Sequence, residues 1–170
     1  MKSLCSVLFL VLLLPTPSLG QNRSFQSKLY EAQEGDVGAQ SDIGLAYLFG
    51  EGVKPNRRQA AFWLGKAANQ GYPLGACNFG HYYGRGRRAQ RNNVLMMKWA
   101  YIGEILDPLR CEAGVHIMIY KPSECQIARG LELAVAWLRA HPEYKNNFGE
   151  QPWLSDDPKK FEDKRKKKCR

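Results

Sequence analysis

Histidine, cysteine and arginine are the residues of this 170-residue sequence with the widest chemical repertoire. His81, His116 and His141 stand far apart and fall on different predicted helices, so a triad or zinc site made from them would have to assemble in space. No G-x-S-x-G elbow, H-E-x-x-H, C-x-x-C or P-loop occurs, and no Ser stands three residues before a Lys. The sequence therefore predicts no catalytic residue, no metal ligand and no cofactor. A hydrolase with an unrecognised site is the distant alternative. The strongest local signal is Arg85, Arg87, Arg88 and Arg91, four arginines within seven residues. Guanidinium groups fork onto carboxylates and phosphates, so this cluster reads as a docking loop for an acidic surface.

Residues 1–20 have the layout of a secretory signal peptide. Lys2 precedes an apolar run from Leu4 to Leu14, followed by Pro15, Pro17 and the small-residue end Ser18-Leu19-Gly20. The run is too short for a bilayer core, which needs about 20 residues. Cleavage before Gln21 would leave a soluble chain exported across the inner membrane, with the periplasm as its expected location. Four cysteines would remain, Cys77, Cys111, Cys125 and Cys169. An oxidising compartment permits two bridges among them, with three pairings. The formal charge of +9 is concentrated at the end, where residues 158–170 hold eight bases against Glu162 and Asp163. The body is nearly neutral, so no nucleic-acid partner is expected. The tail offers weak contact with anionic lipid.

These residues are positioned by a repeat. A shift of 36 lays Gly35 on Gly71, Gly44 on Gly80, Tyr47 on Tyr83, Gly50 on Gly86, Asn56 on Asn92 and Trp63 on Trp99. Ala134-x-x-Trp137 echoes Ala60-x-x-Trp63 a third time. Apolar residues recur at helical spacing, Asn56 reads as an N-cap, and Gly71 reads as the residue that ends a helix. Small residues (Ala39, Gly44, Gly75, Gly80) fall where helices would cross. The aromatics Tyr47, Trp63, Tyr83 and Trp99 read as core. The spacing predicts a lead helix over 23–34, then pairs over 36–49 and 57–70, 73–84 and 93–105, and 107–119 and 124–140. Three regions follow: a signal peptide (1–20), a helical array (21–142) and an extension with a basic tail (143–170). Trp153-Leu154 is expected to fold back on the last hairpin.

The pattern Ala39-Gln40-x-x-Ile43-Gly44-x-x-Tyr47-x-x-Gly50-x-Gly52-Val53-x-x-Asn56-x-x-x-Ala60-x-x-Trp63-x-x-x-Ala67-Ala68-x-x-Gly71 resembles the Sel-one-like repeat (SLR), a relative of the tetratricopeptide repeat. The second copy departs at Arg88-Ala89 and Gly103-Glu104, and the third is degenerate. The resemblance implies an all-α, right-handed α-solenoid that binds another protein and has no chemistry of its own. Secreted bacterial members of the family include envelope adaptors, signalling regulators and immunity proteins that block phospholipase toxins of type VI secretion. An inhibitor of an effector is the leading expectation, and an envelope scaffold or regulator is the alternative. In related solenoids the first helices line the concave face. That would present Asp42, Leu45, Phe49, Asn78, His81, Tyr82 and Arg85 together, beside Arg87, Arg88 and Arg91. The resemblance also implies bridges that tie the two helices of a repeat, which points to Cys111 and Cys125. A turn near residue 118 would set them opposite each other. A turn at Pro122 would leave them about 10 Å out of register. Cys77 reads as a buried thiol, and Cys169 could reach several partners.

Overall fold

The computed structural model describes residues 19–86 and 91–147, with residues 167 and 169 beyond them. Seven helices follow in order: α1 (Leu19–Glu34), α2 (Val37–Phe49), α3 (Arg57–Asn69), α4 (Pro73–Gly84), α5 (Asn93–Leu106), α6 (Ala113–Tyr120) and α7 (Glu124–Ala140). A 3-10 helix, Pro142–Asn147, follows α7. Among the described residues there is no strand, and the chain is an all-α solenoid. Residues 1–18 of the expected signal peptide, Trp153-Leu154, and most of the basic tail lie outside the described residues.

The repeat register is visible in the caps and crossings. Asn56 accepts from the Arg58 and Gln59 N–H groups, and its repeat mate Asn92 accepts from Leu95. Gly44 and Gly80 sit where α2 and α4 cross the second helices of their own hairpins. A Cβ on Gly44 would lie 2.9 Å from the Leu64 nitrogen, and one on Gly80 would lie 3.0 Å from the Met96 carbonyl. Glycine there lets each hairpin close backbone to backbone. Trp63 and Trp99 fill the spaces so formed and are buried, as is their echo Trp137. Tyr47 and Tyr83 were expected in the core but are only half-buried. Tyr47 meets Phe25 of α1 edge-on, and Tyr83 meets Phe79 at 4.9 Å.

The third unit departs from the expected hairpin. The helix predicted from residue 107 starts only at Ala113. Asp107 ends α5, its carboxylate accepts the Leu109 N–H at 3.1 Å, and its carbonyl accepts from Arg110 and Cys111. These bonds, with Pro108, make a turn where a helix was expected. α6 packs against α5 and α4, and α7 packs chiefly on α5, so α6 and α7 barely meet.

The Cys111–Cys125 pairing is therefore corrected. The turn between α6 and α7 spans residues 121–123, around Pro122 and not near 118, and the two cysteines are out of register. Cys77 of α4 bridges Cys111, with Cα atoms 5.8 Å apart, so Cys77 is not a free thiol. Cys125 bridges Cys169, with Cα atoms 4.9 Å apart. Beyond α7, Tyr144 lies parallel to the Trp137 ring at 5.8 Å, and its hydroxyl donates to the Gln70 carbonyl at 2.8 Å.

Candidate protein-binding face

The first helices of the two clear repeats lie side by side. Asn78 of α4 donates to the Ser41 hydroxyl of α2 at 3.0 Å. About two helical turns further on, Phe49 and Arg85 occupy repeat-equivalent positions. The Arg85 guanidinium stands 5.1 Å from the centre of the Phe49 ring, and both residues are exposed. Beside them Arg57 lies 4.5 Å from the Tyr82 ring centre and donates to the Tyr82 carbonyl at 3.3 Å. Two aromatic rings, each under a guanidinium, thus share this face. Stacking holds each arginine extended while leaving donors free for a carboxylate.

The other expected site residues are distributed differently. Asp42 is exposed and ion-paired with Lys28 of α1, so its carboxylate is already answered. Leu45 is half-buried against the main core. Arg91 turns to the α6 side, where it donates to the Tyr120 carbonyl and lies over the Tyr120 ring. Arg87 and Arg88 lie outside the described residues.

His81 joins α4 to α6. The Tyr120 hydroxyl is hydrogen-bonded to His81 Nδ1 at 2.9 Å, and the His116 ring is 5.9 Å away, edge-on. Burial pushes the His81 pKa below its ordinary value, and the charges of His116 and Arg85 act in the same direction. Burial also lowers His116, partly offset by hydrogen bonds to backbone at Glu112 and Cys77. The third histidine is remote from this pair. His141 stacks on Trp137 at 4.0 Å and donates to the Trp137 carbonyl. Among the described residues no three His, Cys, Asp or Glu side chains are placed to hold a metal.

Two features escaped the sequence reading. Arg57 shares the face through Tyr82, but nothing in the 36-residue register singles it out. Val115, Met118 and Ile119 are exposed on α6. Their signal was available, because no charged residue stands between Glu112 and Lys121.

Comparison with known proteins agrees with this architecture. The Sel1 repeat family model matches residues 37–72, which are α2, α3 and the connection after α3. The chain is similar to HRD3A of Arabidopsis thaliana, a component of an ERAD-associated E3 ubiquitin-protein ligase. The two are 36% identical over 67 residues, which is 39% of this chain and 10% of that protein. It also resembles the crystal structure of a protective antigen present in uropathogenic Escherichia coli strains and displaying an SLR fold. That match has a TM-score of 0.64 at 24% identity and covers 80% of this chain and 29% of the other. The chain thus spans about a tenth of the curated relative and under a third of the solved one.

Proposed function

We propose that this chain, whose residues 37–72 match the Sel1 repeat, holds another protein on the α2/α4 face and performs no chemistry of its own. The observation that carries this reading is the exposed Phe49–Arg85 pair beside Tyr82 and Arg57 on a rigid two-helix frame. Interface energy concentrates in aromatic and arginine anchors of this kind. The basic residue, apolar run and small-residue end at the start of the chain support export, with the periplasm as destination. Two disulfides suit an oxidising compartment. Within it we assign the protein to the inhibitors, an immunity protein that covers a secreted effector such as a type VI phospholipase. The HRD3A likeness favours a second reading, a scaffold within a larger envelope assembly, since that relative is a component of a ligase complex.

Titration calorimetry against the partner recovered by pull-down tests the face. Replacing Phe49, Tyr82 and Arg85 together by Ala should weaken binding more than about tenfold while the chain stays helical. Unchanged affinity would reject the α2/α4 face. An inhibitor should silence its partner's activity at one-to-one stoichiometry, whereas a scaffold would leave it intact.

A further inference from the structure

Apart from His116 and the Tyr120 hydroxyl, both on its packed side, α6 is apolar around its circumference. Ala113, His116 and Tyr120 are buried on the side that packs against α5 and α4. On the opposite side Val115, Met118 and Ile119 follow at helical spacing and are 38%, 72% and 56% exposed. A helix without a polar side ordinarily has both sides covered. α2 and α4 each close against the second helix of their own hairpin, but α6 leaves α7 standing apart. At the turn that joins the two, beside the start of α5, a cleft of about 720 Å³ opens, lined by Arg91, Asn93, Ile119, Tyr120, Lys121 and Gln126. Two cations face this cleft, and among the described residues no carboxylate lines it. Arg91 is fixed there through Asn93 and the Tyr120 carbonyl. Neither Arg91 nor Lys121 has an acidic partner among the described residues.

We propose that the α6 stripe and the cleft beside it form a second docking site, for an acidic amphipathic peptide segment of a partner protein. Its apolar side chains would cover Val115, Met118 and Ile119, and a carboxylate would meet Arg91 and Lys121. Charge selects this occupant. The eight residues of α6 carry no carboxylate, so α6 of a second copy could not answer the two cations. A lipid surface would meet the same two exposed cations and is told apart by the vesicle arm of the test. The proposal is independent of the α2/α4 reading.

The test pans a random dodecapeptide library on phage against the full disulfide-bonded chain, counter-selected on a Met118→Asp/Ile119→Asp variant. Enriched peptides should combine apolar residues three or four apart with Asp or Glu. A synthetic consensus peptide should lose about tenfold or more in affinity on Lys121→Glu, and exchanging its acidic residue for Lys should restore binding to that variant. Ile119→Ser, a milder change, should weaken it too, and Phe49→Ala/Arg85→Ala should leave it unaltered. Circular dichroism confirms that each variant is folded. Peptides without acidic bias, or affinity indifferent to Lys121→Glu, would overturn the proposal. So would a dimer lost on Ile119→Asp, phosphatidylglycerol vesicle binding lost in the same variant, or a photo-crosslink from position 119 to residues 148–168 of the chain itself.

Discussion

Removing the Trp63 ring would open a void between the first helices, since it packs with Phe25, Ala39, Ile43 and Ala46. Trp63→Ala should cost about 3–5 kcal/mol in urea unfolding. Phe49→Ala removes a half-exposed ring and its cation contact and should cost under about 1 kcal/mol, so binding tests on the α2/α4 face are not confounded by stability. The two inner histidines predict a pH dependence. His81 is faced by Tyr120, His116 and Arg85, and burial disfavours the charged form of both rings in the folded chain. In the unfolded chain they take up protons below about pH 6.5. Their folded values are lowered, so stability is full above about 6.5 and falls as the pH drops toward those values. Urea midpoints measured between pH 7.5 and 5 should decline, and His116→Leu should flatten the decline. A midpoint independent of pH would show that the pair does not titrate with folding.

Close helix crossings impose opposite signs on similar substitutions. Gly44→Ala and Gly80→Ala push a methyl against the facing helix and should each cost about 1–3 kcal/mol. Gly114 has nothing within 4 Å of its missing Cβ, so Gly114→Ala should stabilise α6 by up to about 1 kcal/mol. Thermal unfolding of the three variants checks the pattern, and equal effects at all three sites would refute it. These crossings were legible in the sequence because the same contact is made twice, and glycine is kept at both copies. The start of α6 was not legible in that way. Residues 107–112 hold only Leu109 and Cys111 as apolar residues, and the Asp107-Pro108 turn, a local signal that the helix assignment passed over, keeps them out of the helix. Pairing of the cysteines depends on how α6 leaves α7, which no local pattern encodes. The equivalence of Phe49 and Arg85 follows from the 36-residue register, and their shared face from the resemblance to related solenoids. Arg57 does not, because it reaches Tyr82 from outside that register.

At the scale of the molecule, the Arg57–Tyr82 and Phe49–Arg85 contacts tie the hairpins into one body, while the last unit is held by different means. Its cation-rich tail, residues 158–170, does not end as a free arm, since Cys169 is joined to Cys125. That bond changes how the protein bears force. Tension applied at the carboxyl end passes across the bridge to the first turn of α7, so α7 itself carries no load. The 44-residue separation between the two cysteines is withheld from extension, about 150 Å of contour. Optical-tweezers traces should gain that length on reduction of this bridge. A trace of unchanged length would mean the tail is not tethered. While the bridge lasts, a machine that unfolds proteins by pulling on the tail meets the α6–α7 junction first, and α7 can unwind only after the rest has yielded or the sulfurs have parted.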